Sequence, residues 1–149
     1  MELKYEFYIG ATPKRVWDIL VTPEGTRQIF FGSILDSTFE EGAPFQYVGP
    51  GNDGDETVQV YGKILKYKEQ ELLSFLEHPG PSYHQNHEEL ESRLTMKLEV
   101  VGDCTKLTLI NDQWSENHPS IESTKQNWWM ILSNIKTLAE TGKILDFGW

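Results

Sequence analysis

The chain has 149 residues, the length of one domain, because hydrophobic cores divide only well beyond this size. Hydrophobic residues make up 38% and charged residues 24% of the sequence, a balance that excludes both a disordered chain and a membrane-embedded one. Thirteen Lys and Arg against twenty-three Asp and Glu give a formal charge of −10. An acidic surface repels phosphates, so we expect no nucleic-acid partner.

The N-terminal segment carries no sign of export or anchoring. Residues 1–6 lack a basic start followed by an apolar run, and no stretch approaches the roughly eighteen apolar residues of a membrane span. The single cysteine, Cys104, has no partner for an internal disulfide. We therefore expect a cytoplasmic protein without a membrane span, folded as a single domain over residues 1–149.

The first part of the chain predicts one strand and two short helices. Apolar and polar side chains alternate from Leu3 to Ile9, the period of a strand with one buried face. Two Thr-Pro pairs, at residues 12–13 and 22–23, each combine a helix N-cap with a proline suited to the first turn. The second helix is expected to end near Gly32.

The middle of the chain predicts six strands joined mainly by short turns, which favour antiparallel pairing. Alternation and turn residues give the bounds Ser33–Phe39, Pro44–Val48, Thr57–Tyr67, Leu72–Glu77, Ser92–Val101 and Thr105–Asn111. The two longer breaks, Gly49–Glu56 and His78–Glu91, are rich in turn-forming or polar residues, so surface loops are expected there. Cys104 is expected in the turn before the last strand.

A long helix is predicted from Ser120 to Thr141, with Gly142 as its C-terminal signal. Its apolar residues recur at spacings of three and four and give one stripe that can face the sheet. A curved antiparallel sheet of seven strands is wider than one helix can cover. The short helices, large side chains or a cavity must fill the remainder.

Four segments in this order resemble the SRPBCC superfamily: Ala11–Asp18, Thr22–Glu24, Thr105–Leu109 after a tight turn, and the end of the Trp-rich helix at Leu138–Lys143. These START-like, birch-pollen-allergen-like proteins have a helix-grip fold, and the chain is most similar to the branch of the C-terminal domain of the heat-shock protein 90 ATPase activator. The resemblance implies an α+β fold in which a seven-stranded curved antiparallel sheet surrounds a long C-terminal helix and an internal cavity. In various relatives this cavity holds lipids, hormones or polyketides.

The candidate ligand site is therefore the space between the sheet and the long helix. The alternating residues Val58, Val60 and Ile64 of one strand, and those from Leu94 to Val100 of another, are predicted to face that helix. An aromatic lining suits a flat or elongated apolar ligand, although aromatic stripes also serve as ordinary core packing. The predicted ligand-binding residues are Phe30, Phe31, Phe45, Tyr47, Val60, Phe75, Met96, Trp114, Trp128, Ile131, Leu132 and Ile135.

The sequence assigns no catalytic residue, metal or cofactor. His78, His84 and His87 share one acidic loop, a composition that suits zinc but is equally typical of a hydrated polar loop. Cys104 has no adjacent base that would activate it, and no nucleophile, phosphate-binding or metalloprotease motif is present.

Three functions remain open. The first is non-catalytic binding of a small hydrophobic or aromatic ligand, lipid-like or polyketide-like. The second, from the resemblance, is a co-chaperone-like module that contacts a heat-shock protein 90 homologue through its acidic surface. The third is a polyketide cyclase-like enzyme, for which Gln59, Tyr61 and Asn111 are the nearest polar strand residues. The apolar segment Lys143–Trp149 is either a frayed end, a cover for the pocket or a contact for a homodimer.

Overall fold

The computed structural model describes residues 1–51 and 54–148. Its elements, in chain order, are β1 (Leu3–Ile9), α1 (Pro13–Val21), α2 (Pro23–Ile29), β2 (Ile34–Ser37), β3 (Pro44–Pro50), β4 (Glu56–Lys68), β5 (Leu72–Pro79), β6 (Ser92–Val101), β7 (Cys104–Asp112) and α3 (Ile121–Thr141). A single 3-10 turn, His87–Glu89, lies between β5 and β6. This order confirms the predicted α+β helix-grip fold.

The seven strands form one antiparallel sheet in the order β1-β7-β6-β5-β4-β3-β2. Each strand from β2 to β7 pairs with its neighbour in sequence, while β1 pairs with β7 and places Leu3 opposite Asn111. The register shifts at Tyr47/Val48 and between Ile64 and Lys66. Because such irregularities bend a strand and increase its twist, they curve the β3–β5 side of the sheet.

The two short helices meet at Thr22, which ends α1 and caps α2. The Thr22 side chain accepts a hydrogen bond from the Gly25 amide at 3.1 Å, and its hydroxyl donates to the Asp18 carbonyl. A Cβ at Gly25 would lie 2.5 Å from the Asp18 carbonyl oxygen, so only glycine allows this approach. The paired Thr-Pro motifs therefore produce the predicted helices and set the tight angle between them.

The core joins the inner face of the sheet to α1, α2 and the apolar stripe of α3. On α3 the buried apolar residues are Trp128, Ile131, Leu132, Ile135 and Leu138. In the described part of the chain, no helix combines the length and apolar character needed to cross a bilayer.

The structure differs from the predicted strand bounds at several ends. β5 continues to Pro79, so His78 lies in a strand opposite Tyr61 rather than in a loop. The sequence predicts a loop at Gly49–Glu56, but β3 and β4 pair as far as Pro50 and Glu56. Residues 52 and 53 of that loop lie outside the described residues. Cys104 begins β7, so its assignment to the turn was wrong.

Val100 is 69% exposed, so the prediction that it faces α3 was also wrong. It lies in the hairpin end of β6 and β7, where residues 99–103 are all exposed. Alternation places a side chain on one face of a strand, but burial also requires that the partner element extend that far.

Candidate functional site

A cavity of about 390 Å³ lies between the N-terminal half of α3 and the sheet at β3–β5. A second cavity of about 450 Å³ adjoins it and shares seven of its lining residues: Phe31, Gln59, Val60, Glu77, Tyr83, Thr124 and Asn127. Small-molecule sites in proteins typically have volumes of about 300 to 1,000 Å³. The space is therefore large enough for a small organic ligand.

Aromatic rings form one wall of the first cavity. The Phe30 ring centroid lies 5.1 Å from that of Tyr47 and 6.2 Å from that of Trp128, both in edge-to-face geometry. Phe31 and Tyr83 are 46% and 41% exposed and form its rim. Edge-to-face contacts fix the orientation of the rings, so the wall is largely preformed.

The carboxyl group of Glu77 lies in this otherwise mainly apolar lining. Glu77 is on β5 opposite Ser92, whose hydroxyl donates a hydrogen bond to Oε1 at 3.1 Å. Burial raises the pKa of Glu77 to about 7, although the Ser92 hydrogen bond acts in the opposite direction. Among the residues that the structure describes, no cationic side chain is paired with this carboxylate. Its charge is therefore uncompensated within the site.

A chain of hydrogen bonds runs from α3 to Glu77. Trp128 Nε1 donates to Asn111 Oδ1 at 3.2 Å, and Asn111 Nδ2 donates to Ser92 Oγ at 3.2 Å and to the Arg93 carbonyl at 2.9 Å. Asn111 is fully buried. This network links the Trp128 ring to the Glu77 carboxyl, and both side chains line the cavity.

Tyr47 contributes a second polar group. Its side chain is 6% exposed, and its hydroxyl oxygen has no hydrogen-bond partner among the described residues. Burial and the nearby Glu77 charge both raise the pKa of Tyr47, so its hydroxyl stays protonated. A buried hydroxyl without a partner costs about 1–3 kcal/mol. Tyr47 and Glu77 thus provide a donor and an acceptor in the same cavity.

The twelve predicted binding residues fall into two groups. Those that line the first cavity are Phe30, Phe31, Tyr47, Val60, Trp128 and Ile131, and Trp114 lines the adjoining one. The others, Phe45, Phe75, Met96, Leu132 and Ile135, are buried in the core cluster. Direct contact of any of these side chains with a ligand stays a prediction.

Sequence reasoning did not single out Glu77 or Ser92. Leu73, Phe75 and Glu77 continue one alternation, and the first two are fully buried. The sequence signal for Glu77 is a charged residue at a position where the alternation predicts a buried apolar one. Of the polar strand residues predicted for a cyclase, Gln59 lines the cavity, and Asn111 is hydrogen-bonded to Ser92 and Trp128.

The three histidines His78, His84 and His87, which were predicted to share one loop, contact different groups. His78 Nδ1 donates to the Leu90 carbonyl at 2.9 Å, and its ring stacks on Tyr61. The Tyr61 hydroxyl is hydrogen-bonded to His87 Nδ1, whereas His84 lines the adjoining cavity. Within residues 1–51 and 54–148, no group of three or more His, Cys, Asp or Glu side chains is arranged to hold a metal ion.

The family model described as "Activator of Hsp90 ATPase homolog 1-like protein" matches residues 10–140. The chain belongs to this family. The match and the structural neighbours confirm the SRPBCC superfamily resemblance. No curated protein sequence matches the chain.

Several solved structures share the fold of this family member. The Aha1 dimer from Colwellia psychrerythraea is 16% identical, with a TM-score of 0.69 over 96% of this chain and 98% of that chain. A protein from Arthrobacter aurescens is 18% identical, with a TM-score of 0.77 over 99% of this chain and 91% of that one. DynU16, from the dynemicin biosynthetic locus, is 18% identical with a TM-score of 0.74, and the match covers 99% of this chain and 50% of DynU16.

Proposed function

We propose that this family member binds a small hydrophobic or aromatic ligand, lipid-like or polyketide-like, without catalysing a reaction on it. The observation that carries the proposal is the aromatic-lined cavity of about 390 Å³ between α3 and the sheet. The wall is preformed by ring contacts and by the hydrogen bond from Trp128 to Asn111, which lowers the entropic cost of ordering it on binding. The chain would act as a carrier or sensor.

Binding is tested by native mass spectrometry of the gently purified protein and by titration with the neutral dye N-phenyl-1-naphthylamine. The variant Val60→Trp places a large ring in the cavity lining and is expected to abolish saturable dye binding. The control Val101→Trp makes the same change at a 46% exposed position outside the cavity and should bind like the wild type. Absence of a co-purified ligand, together with no saturable dye binding to the wild type, would contradict the proposal.

A second candidate is a co-chaperone-like interaction with a heat-shock protein 90 homologue. The family match and the formal charge of −10 favour it, since an acidic surface can steer association with a basic partner. The interaction should be strongest at low ionic strength, where charges are least screened. Failure of the immobilised protein to retain a heat-shock protein 90 homologue at low salt would exclude this function.

A polyketide cyclase-like activity is the third candidate. The fold shared with DynU16 favours it. So does the Glu77 carboxyl, because a general base works best when its pKa is close to the working pH, and burial raises the pKa of Glu77 to about 7. The test is cyclisation of a linear polyketone followed by absorbance, with Glu77→Gln as the control. Equal rates with the wild type, with the variant and without protein would refute it.

We also propose a cytoplasmic location and a homodimer formed through the C-terminal segment. Cys104 is free, as expected in a reducing compartment. Ile144, Leu145 and Phe147 are between 39% and 47% exposed, and the Colwellia relative is an Aha1 dimer. Light scattering of a chain that ends at Gly142 tests the dimer. An unchanged oligomeric state would contradict it.

A further inference from the structure

The cavity contains two polar groups whose hydrogen-bonding capacity the protein leaves unused. The Tyr47 hydroxyl has no partner in the described part of the chain, and the hydrogen bond from Ser92 reaches only one oxygen of Glu77, Oε1. Both residues line the same cavity, and they are near enough for the charge of Glu77 to act on the Tyr47 hydroxyl. A ligand here meets a donor and an acceptor together.

The Tyr47 hydroxyl cannot turn away from this position. Its ring lies against those of Phe30 at 5.1 Å, Phe45 at 6.0 Å and Phe75 at 6.3 Å, so rotation of the side chain toward solvent would require repacking of the core. Its backbone pairs with Val60, which also lines the cavity. The hydroxyl is therefore a fixed feature of the binding space.

The acceptor at Glu77 restricts the charge of the ligand. No cation among the described residues accompanies this carboxylate, and the chain as a whole carries a formal charge of −10. A ligand carboxylate or phosphate would add a second buried negative charge, which is strongly unfavourable. Anionic lipids such as free fatty acids are therefore poor ligands for this cavity.

The donor at Tyr47 separates the remaining ligand classes. A protonated amine can donate to Glu77 but has no lone pair to accept the Tyr47 hydrogen, and a ketone or ether accepts from Tyr47 but offers nothing to Glu77. A hydroxyl group donates and accepts at once. Of the classes compared, only a hydroxyl group satisfies both Tyr47 and Glu77 with a single atom.

We infer that the ligand of this cavity is a neutral aromatic or alicyclic alcohol or phenol, whose hydroxyl donates to Glu77 and accepts from Tyr47 while its rings pack on Phe30 and Trp128. The inference rests on the proposed ligand-binding function and adds the chemical class of the ligand. The hydrogen-bond chain through Ser92 and Asn111 positions the carboxylate for this contact.

Calorimetric titration at about pH 8 with four ligands of one ring system tests the inference: 2-naphthol, 2-methoxynaphthalene, 2-naphthoate and 2-naphthylmethylammonium. The wild type is expected to bind 2-naphthol at least about tenfold more tightly than each of the others, since the buried hydrogen bonds are made by the hydroxyl alone. If none of the four binds while N-phenyl-1-naphthylamine does, the inferred class is wrong, and if the dye also fails to bind and no ligand co-purifies, the proposed function is contradicted. If they bind with equal affinity, or if an ion binds most tightly, the cavity is a ligand site and the inferred class is wrong.

Two variants test whether Tyr47 and Glu77 produce the preference for 2-naphthol. Tyr47→Phe and Glu77→Gln should each reduce the preference for 2-naphthol over 2-methoxynaphthalene to about threefold or less. The control Tyr8→Phe removes a hydroxyl at a 55% exposed position on β1 and should keep the wild-type preference. Circular dichroism confirms folding of each variant. A preference that survives in both folded cavity variants would overturn the inference.

Discussion

The Glu77 carboxyl makes the free energy of unfolding depend on pH. Burial raises its pKa from 4.5 to about 7, so the native protein holds this proton more tightly than the unfolded chain does. Stability therefore falls as the pH rises from 4.5 to about 7, and the full penalty is present above that range. At 1.36 kcal/mol for each pKa unit, the penalty approaches about 3 kcal/mol.

The substitution Glu77→Gln keeps the shape of the side chain and removes its ionisation. The ionised Glu77 carboxylate destabilises the wild type by only part of the full penalty near pH 5.5, and by almost all of it near pH 8.5. The variant is therefore expected to gain about 2 kcal/mol of stability over the wild type between these two conditions. For a chain of this length the gain corresponds to a relative increase of about 4–8 °C in Tm.

Urea unfolding followed by circular dichroism at the two pH values measures this difference. His84 and His118 line the adjoining cavity and Tyr47 the same one, and all three are present in both proteins, so the comparison isolates the Glu77 carboxyl. Glu41→Gln, at an exposed position in the β2–β3 connection, is the control for loss of one charge. Parallel pH profiles for Glu77→Gln and the wild type would refute the reasoning.

Three further substitutions test the supporting structure by urea unfolding. Asn111→Ala leaves the Trp128 indole N–H unpaired and removes the side-chain hydrogen bond to the Arg93 carbonyl, so it should cost about 2–4 kcal/mol. A cost below about 0.5 kcal/mol would contradict the network. Gly62→Ala would place a Cβ 1.8 Å from the Leu76 carbonyl oxygen and should cost more than about 3 kcal/mol, whereas Gly42→Ala, with a φ of 85° and open space around it, should cost about 1 kcal/mol. Equal costs for Gly62→Ala and Gly42→Ala would refute the close approach of Gly62 to the Leu76 carbonyl. Thr22→Ala should cost about 1–2 kcal/mol because one side chain serves both short helices, and a neutral result would contradict that role.

The order of the elements could be predicted because its signals are local. A Thr-Pro pair combines the cap and the first turn of a helix within two residues, and both pairs begin helices as expected. The bounds of β6 also agree with the prediction, since its alternation continues to a tight turn at Gly102. Where strand ends depend on a partner, as for Pro50 and Pro79, the sequence predicted ends that were too early.

The lining of the cavity could be predicted only in part, because it depends on which part of the sheet α3 covers. The C-terminal half of α3 packs Leu132, Ile135 and Leu138 into the core. Its N-terminal half faces the cavity through Trp128, Ile131 and residues on either side of them. The alternation of apolar residues predicts that Phe75 and Val60 both face inward. It does not predict which of the two packs in the core and which lines the cavity.

Glu77 shows why the polar part of the site was missed. The sequence predicts it as the last residue of a strand, where a charged side chain is ordinary, but pairing continues to Pro79 and the carboxyl group lies in the cavity lining. The burial of Glu77 and the unpaired Tyr47 hydroxyl each destabilise the fold, and both act on one cavity. Exceptions to the rules of packing are typical of functional sites. A ligand hydroxyl that pairs with both groups would offset these two costs together, so the same residues that lower the stability of the fold would supply the affinity and the specificity of binding.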